Sequence, residues 1–258
     1  YKVMFTSEAG INHFGDLKEA RKIEKFFLKS SFKNLSFMLH TQNFYNLYKS
    51  KGIDFILPTT FYSRLIKKSH IRKKKIGLSV CDIQSFKKLK DLKFDFYKLL
   101  SVSINNEELI KELIKKKKPV FISTGFTVSD INIKKCLKSF KGFKKITILH
   151  TPMTYDVSQL NFSRISKLKE KFKLPVGYSN HNNNFETLNL LTSYEPSSIF
   201  VYCKPTRKDK RVYPDNKHAI YLDNLEKIKK SYIELNTVHK SLINKKKKGD
   251  IFKNGIKK

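Results

Sequence analysis

Leu-Pro-Val-Gly-Tyr-Ser-Asn-His at residues 174–181, followed at residues 198–203 by Ser-Ile-Phe-Val-Tyr-Cys, is the stretch whose pattern decides the fold. Both are short apolar, β-branched runs bounded by Pro or polar clusters, which is the signature of a buried strand. Each delivers a metal-capable side chain at its C-terminal end, His181 on the first and Cys203 on the second. The ends of neighbouring parallel strands are where open-sheet and barrel enzymes collect their reacting groups.

Outward from this stretch the same alternation continues. Val3 to Glu8 reads as a strand, and Asp16 to Lys29 as a helix, with Leu17, Ala20, Ile23, Phe26 and Phe27 at helical spacing behind an Asp16 N-cap. Leu35 to His40 is the next strand, followed by an irregular stretch with a short helix and Phe55-Ile-Leu. Ile76 to Val80, Phe96 to Leu100, Pro119 to Ser123 and Lys145 to His150 read as strands. The helical patterns behind them are Ile83 to Leu89, Asn106 to Lys116, a helix capped at Ser129 or Asp130, and Leu160 to Lys171. Val176 to Ser179 precedes a helix at Glu186 to Thr192, and Ile199 to Cys203 precedes a long one at Leu222 to Val238. Eight strands, each with a helical follower, predict a parallel sheet closed into an α/β (β/α)8 TIM barrel. A doubly wound open sheet would carry a Gly-rich first turn, and Glu8-Ala-Gly-Ile-Asn-His-Phe-Gly-Asp is not GxGxxG.

Composition is compatible with that frame. A chain of 258 residues, 40% hydrophobic, can bury a full barrel core. No run reaches the length of a membrane span and no signal peptide is visible, so the expected location is cytoplasmic, with no membrane partner. Three widely spaced cysteines without a CxxC pair give no disulfide framework. The net charge of +32 invites an anionic partner. The lysines are nevertheless spread along every segment, arginine is scarce and no Arg-aromatic motif appears, so the charge reads as a solvated surface rather than a nucleic-acid face.

The barrel reading puts Glu8, His40, Ser79, Lys98, Ser101, Ser123, Thr124, His150, Ser179, His181 and Cys203 at or near strand ends. Taken singly, a strand-end Ser or Thr usually caps the next helix, and a His on an apolar strand is more often a satisfied core residue than a ligand. Taken together they suggest chemistry. A Lys among several hydroxyls suits a phosphate, and a His beside a thiol suits a cation that polarises a carbonyl.

These segments also resemble, in order, the motifs of the sialic acid synthase family, the phosphoenolpyruvate-dependent synthases of nonulosonic acids. The matching segments are Glu8-Ala-Gly-Ile-Asn-His-Phe-Gly-Asp, Tyr97-Lys-Leu-Leu-Ser, Lys118-Pro-Val-Phe-Ile-Ser-Thr-Gly, Leu149-His with Tyr155, and Val176-Gly-Tyr-Ser-Asn-His. The resemblance implies condensation of phosphoenolpyruvate with an open-chain 2-acetamido sugar such as N-acetylmannosamine, with release of phosphate. It also implies a divalent cation, Mn²⁺ in the family. On this resemblance Ser79, Lys98, Ser101, Ser123 and Ser179 would bind phosphoenolpyruvate. Glu8, His40, Tyr155 and Asp215 would meet the sugar, with Glu8, Lys98 and Asp215 as the catalytic set, and His181 and Cys203 would hold the metal.

The chain also departs from the family pattern. Met38 stands at the first phosphate-binding Lys and His40 at a Gln, while Met153 stands at an Asn and Asn180 at an Asp. Val201-Tyr-Cys203 replaces Glu-Lys-His, and a thiolate ligand would favour Zn²⁺, Fe²⁺ or Co²⁺ over Mn²⁺. Each such loss weakens a site by about 1–3 kcal/mol. The alternative is therefore a degenerate barrel that binds a phosphorylated ligand or partner without turnover. Residues 1–239 are expected to form the barrel. Residues 240–258 are expected to be a Lys-rich tail resembling the start of a truncated antifreeze-like domain, which would weaken a homodimer.

Overall fold

The computed structural model describes residues 3–125, 128–205 and 212–243. Eight parallel strands follow one another around a closed barrel: β1 (Met4–Gly10), β2 (Asn34–Leu39), β3 (Lys75–Val80), β4 (Phe96–Leu99), β5 (Val120–Ser123), β6 (Ile146–His150), β7 (Val176–Ser179) and β8 (Ser198–Lys204). Closure comes from the β1–β8 pair, in register from Met4 opposite Ser198 to Glu8 opposite Tyr202. A two-residue strand, β9 (Ile220–Tyr221), extends from β8. Closing the sheet leaves no free edge among these strands and sends all their C-terminal ends to one mouth.

The helices form the outer layer. They are α1 (Leu17–Lys29), α2 (Gln42–Lys49), α3 (Thr59–Ile71), α4 (Ile83–Lys87), α5 (Glu107–Lys115), α6 (Asp130–Ser139), α7 (Ser163–Phe172) and α8 (Leu222–Ile243). Local chemistry sets several starts. Asp16 and Asn106 cap α1 and α5 through their side chains, and Ser129 with Asn132 makes a capping box on α6. Three features differ from the sequence pattern. Residues 42–71 hold two helices instead of one short one, because Phe61, Tyr62, Leu65, Ile66 and Ser69 bury one face of α3. Helix α7 starts at Ser163 rather than Leu160, since Asn161 sits in the left-handed region at φ 45°. Residues Phe185–Tyr194 wind as a 3-10 helix. Helix α8 runs through the boundary placed after residue 239, and residues 244–258 lie outside the described residues.

Strand alternation divides the core in two. Phe5, Leu35, Phe37, Leu78, Tyr97, Leu99, Ile122, Ile148, Tyr178 and Val201 face outward and pack under the helices. Phe96, Phe121, Leu149 and Phe200, from four strands, meet each other inside the barrel. Their rings lie edge to face, with Phe121 and Phe200 centred 5.0 Å apart. Gly77 makes room for this layer: a Cβ there would come within 2.1 Å of the Phe96 ring. No helix of the described residues is long and apolar enough to cross a membrane.

Candidate active site at the barrel mouth

The inward residues two positions beyond the aromatic layer form the floor of the mouth. Lys98 follows Phe96 on β4, Ser123 follows Phe121 on β5, and Tyr202 follows Phe200 on β8. Glu8, Ser79 and Ser179 reach the same level from β1, β3 and β7. Lys98 is 1% exposed and Glu8 2%. The Lys98 Nζ donates to Glu8 Oε1 at 2.9 Å, Glu8 Oε2 at 2.7 Å and Ser179 Oγ at 2.9 Å. Ser79 Oγ donates to Glu8 Oε1 at 3.3 Å and shares a 3.0 Å hydrogen bond with Ser36 Oγ. All three N–H donors of the ammonium are therefore occupied, and the Phe200 ring lies 5.1 Å from the cation.

A second group of side chains rises beside this floor. Asn12 ties the loop after β8 to β1: its Nδ2 donates to the Cys203 carbonyl at 2.9 Å, and its Oδ1 accepts from the Asp215 backbone N–H at 3.0 Å. Asp215 is thereby seated over Gly10, where a Cβ would stand 2.7 Å from its Oδ2. Burial, then the nearby Glu8 carboxylate, pushes the Asp215 carboxyl up to about 7. His218 lies on the same loop and was not among the candidates read from the sequence. Its ring centre is 5.0 Å from that of His181 and 4.9 Å from that of Tyr202, and its Nε2 is 3.6 Å from Asp215 Oδ1. Tyr155 OH is 3.4 Å from His218 Nδ1. Burial lowers His218 to about 4, helped by the positive charge of Lys98, and holds His181 well below its ordinary value. Both imidazoles are neutral, the form that ligates metals. His218 left no sequence signal, because it sits in an irregular loop without strand or helix period.

The other candidates are placed as follows. Ser123 Oγ donates to Thr151 Oγ1 at 3.0 Å. Ser101 starts a 3-10 turn after β4 and faces Gly125 beside Met153. Thr124, His150, Thr151, Met153, Thr154 and Arg164 line an open cavity of about 690 Å³ on that side. His150 itself turns away from the barrel axis and bonds the Leu160 carbonyl at 2.8 Å. His40 is held in the turn after β2, where its Nδ1 accepts from the Thr41 N–H at 2.9 Å and its ring stacks on Phe44 at 3.8 Å. Met38 packs against the small apolar cluster of Ile11, Tyr45 and Phe55, so no cation stands at that position.

Cys203 is not brought to the mouth. It lies one residue beyond the inward Tyr202, so strand alternation turns its thiol outward into the main core, where it is fully buried. The expected His181–Cys203 pair is thus separated by the barrel wall. Burial pushes the Cys203 thiol up to about 12. Native protein at pH 8 should accordingly resist alkylation at Cys203, with or without added metal. Mass spectrometry checks this, and rapid labelling that metal blocks would restore Cys203 as a ligand.

Among the described residues no three His, Cys, Asp or Glu side chains already form a ligand set. A divalent cation nevertheless fits the His181–His218–Asp215 corner. Among the described residues, His218 Nε2 and Asp215 Oδ2 are buried there without hydrogen-bond partners, and the imidazoles are neutral.

Comparison with known proteins agrees with the architecture. Residues 20–199 match the NeuB family. The N,N'-diacetyllegionaminic acid synthase of Campylobacter jejuni is 26% identical over an alignment covering 98% of this chain and 89% of that protein. A pseudaminic acid synthase of the same species is 34% identical over 34% of this chain and 27% of its own. The N-acetylneuraminic acid synthetase of Leptospira borgpetersenii, solved with citrate, superposes with a TM-score of 0.82 at 21% identity, covering 99% of this chain and 90% of that one. At that identity the superposition establishes the fold alone.

Proposed function

This chain belongs to the NeuB family, and we propose that it condenses phosphoenolpyruvate with an open-chain 2-acetamido sugar to give a nonulosonic acid and phosphate. The observation that carries this reading is the Lys98 ammonium at the floor of the mouth, buried among Glu8, Ser79 and Ser179. An ammonium with the Ser179 hydroxyl on it and the Ser79 hydroxyl close by suits a phosphorylated carboxylic acid once the anion takes the place of a Glu8 oxygen. Relatives named as synthases of legionaminic and pseudaminic acids support a product of the nonulosonic class, so N-acetylmannosamine and other 2-acetamido sugars are the acceptors to test.

The residues divide the work by charge. Every donor of Lys98 is occupied, so an incoming phosphoenolpyruvate displaces at least one Glu8 oxygen from the ammonium. Glu8 is then free to accept a sugar hydroxyl, which couples arrival of the anion to seating of the acceptor. Ser79 and Ser179 donate to the anion from beside Lys98, and Ser101 and Ser123 from the side of the cavity. Asp215 and Tyr155 face the polyol, while His40, already bonded in its turn, stands farther out. The enolpyruvate methylene carbon forms the new bond to the aldehyde carbon. Water then adds to the former enol carbon, and phosphate leaves with the oxygen it arrived with. A divalent cation at His181, when bound, supplies Lewis acidity at the aldehyde oxygen.

The test is phosphate release from phosphoenolpyruvate in the presence of each acceptor with Mn²⁺, Zn²⁺, Fe²⁺ or Co²⁺, with the nine-carbon product identified by mass. Release that depends on both substrates is the expected result. Calorimetric binding of phosphoenolpyruvate with no release under any pairing would instead support a binding barrel without turnover. The apolar packing of Met38 is the observation that favours this second reading.

A further inference from the structure

We propose that His218, on the loop after β8, is the second imidazole of the divalent-cation site, filling the role that strand order alone would give to Cys203. The inference rests on the synthase reading above, whose cation it locates.

The geometry is that of two imidazoles sharing one ion. Rings bound through Nε2 at about 2.0–2.1 Å, at ligand angles of roughly 90–110°, have centres about 4.5–5.3 Å apart. His181 and His218 are 5.0 Å apart, centre to centre. Their remaining nitrogens are directed elsewhere, His181 Nδ1 to the Ser179 carbonyl at 3.4 Å and His218 Nδ1 to Tyr155 OH at 3.4 Å. A hydrogen-bonded Nδ1 that fixes the ring and leaves Nε2 for the metal is the usual support of a ligating histidine. His218 Nε2 is buried with no hydrogen-bond partner among the described residues. The nearest carboxylate, Asp215, presents Oδ1 at 3.6 Å and an Oδ2 that is likewise buried and unpartnered. Two donors each about 2.0–2.2 Å from one ion stand roughly 3–3.6 Å apart, so Asp215 can join directly or through water. Tyr202 walls the pair on one side, with ring centres 5.2 Å and 4.9 Å from the two imidazoles. Two imidazoles leave coordination positions for water and a substrate oxygen. The same loop is held by Asn12 to the backbone of Cys203, so the residue that lost the ligand position anchors the loop that supplies another.

Metal-stripped protein is titrated with Mn²⁺ by the loss of the free-ion electron paramagnetic resonance signal, and with Co²⁺ by absorption. Wild type should take up one ion. His181→Ala and His218→Ala should each weaken binding at least tenfold, Asp215→Asn less, and Cys203→Ser not at all. The Co²⁺ spectrum should lack a thiolate charge-transfer band. Unchanged affinity in a folded His218→Ala protein, loss of binding in Cys203→Ser, a thiolate band, or no cation uptake by wild type would each overturn the assignment. Should His218→Ala fail to fold by circular dichroism, His218→Asn and the wild-type Co²⁺ spectrum decide. Phosphoenolpyruvate binding is measured by calorimetry on the same samples. If it is retained while the metal result fails, only this inference falls; if wild type lacks it, the synthase reading falls as well.

Discussion

Lys98→Ala should lower the melting temperature by about 10 °C and abolish detectable phosphoenolpyruvate binding. The two effects have one cause. Lys98 and Glu8 are both almost wholly buried and meet at 2.7 Å. Removing one partner leaves the other charge uncompensated in the interior, which costs about 3–5 kcal/mol. For a chain of this size each kcal/mol shifts the transition by roughly 2–4 °C. A double variant, Lys98→Met with Glu8→Gln, should recover most of the stability, since neither charge then remains, but not the binding. Scanning calorimetry and isothermal titration read the two quantities separately. A Lys98→Ala protein that still binds phosphoenolpyruvate with wild-type affinity would sink the assignment of Lys98 to the anion. One that melts with wild type would show that Glu8 finds another partner.

Gly177→Ala should be nearly as damaging, with a loss of about 3 kcal/mol, at the upper end of ordinary overpacking. An added Cβ would lie 2.1 Å from Ser198 Oγ, 2.7 Å from the Ser198 carbonyl oxygen and 2.8 Å from Leu149 Cδ2. The hydroxyl can rotate away, but the carbonyl belongs to the β8 backbone and cannot. The pair of strands joined at Tyr178–Ile199 and Ser179–Phe200 must part, and Ser179 and His181 move with β7. Ser198→Gly in the same chain should restore only part of the loss, because it removes the hydroxyl contact and not the carbonyl. Urea unfolding midpoints measure this, and a midpoint equal to wild type would mean the strands have room the structure does not show. The glycine inside Val-Gly-Tyr-Ser-Asn-His is thus a packing requirement between strands that position the site.

The barrel was legible because its signals are local. Short apolar runs, helical periods such as Leu17, Ala20, Ile23 and Phe27 on α1, and caps at Asp16 and Ser129 need no distant partner to be recognised. Helix α3 was less so, since it follows Pro58 without a side-chain cap and its apolar face is broken by polar residues. The floor of the mouth was partly legible. Period-two alternation puts Lys98, Ser79, Ser179 and Glu8 on inward positions once the strand boundaries are known. It did not reveal that Lys98 and Glu8 neutralise each other, a contact spanning 90 positions of sequence.

Sequence alone therefore determined the order of the eight strands, the parallel closure and the supply of hydroxyls and one lysine at strand ends, because those follow from propensity and pattern. Tertiary structure decided which side chains meet. A one-residue step on β8 turns the Cys203 thiol into the outer core and Tyr202 into the mouth, and pattern cannot weigh a buried cysteine as ligand against hydrophobe. His218 acquires its place from a loop that Asn12 ties across the barrel seam, a contact with no local signature. The physical reason is the same in both cases: local energetics specify which elements form, whereas ligand geometry depends on contacts between residues far apart in the chain.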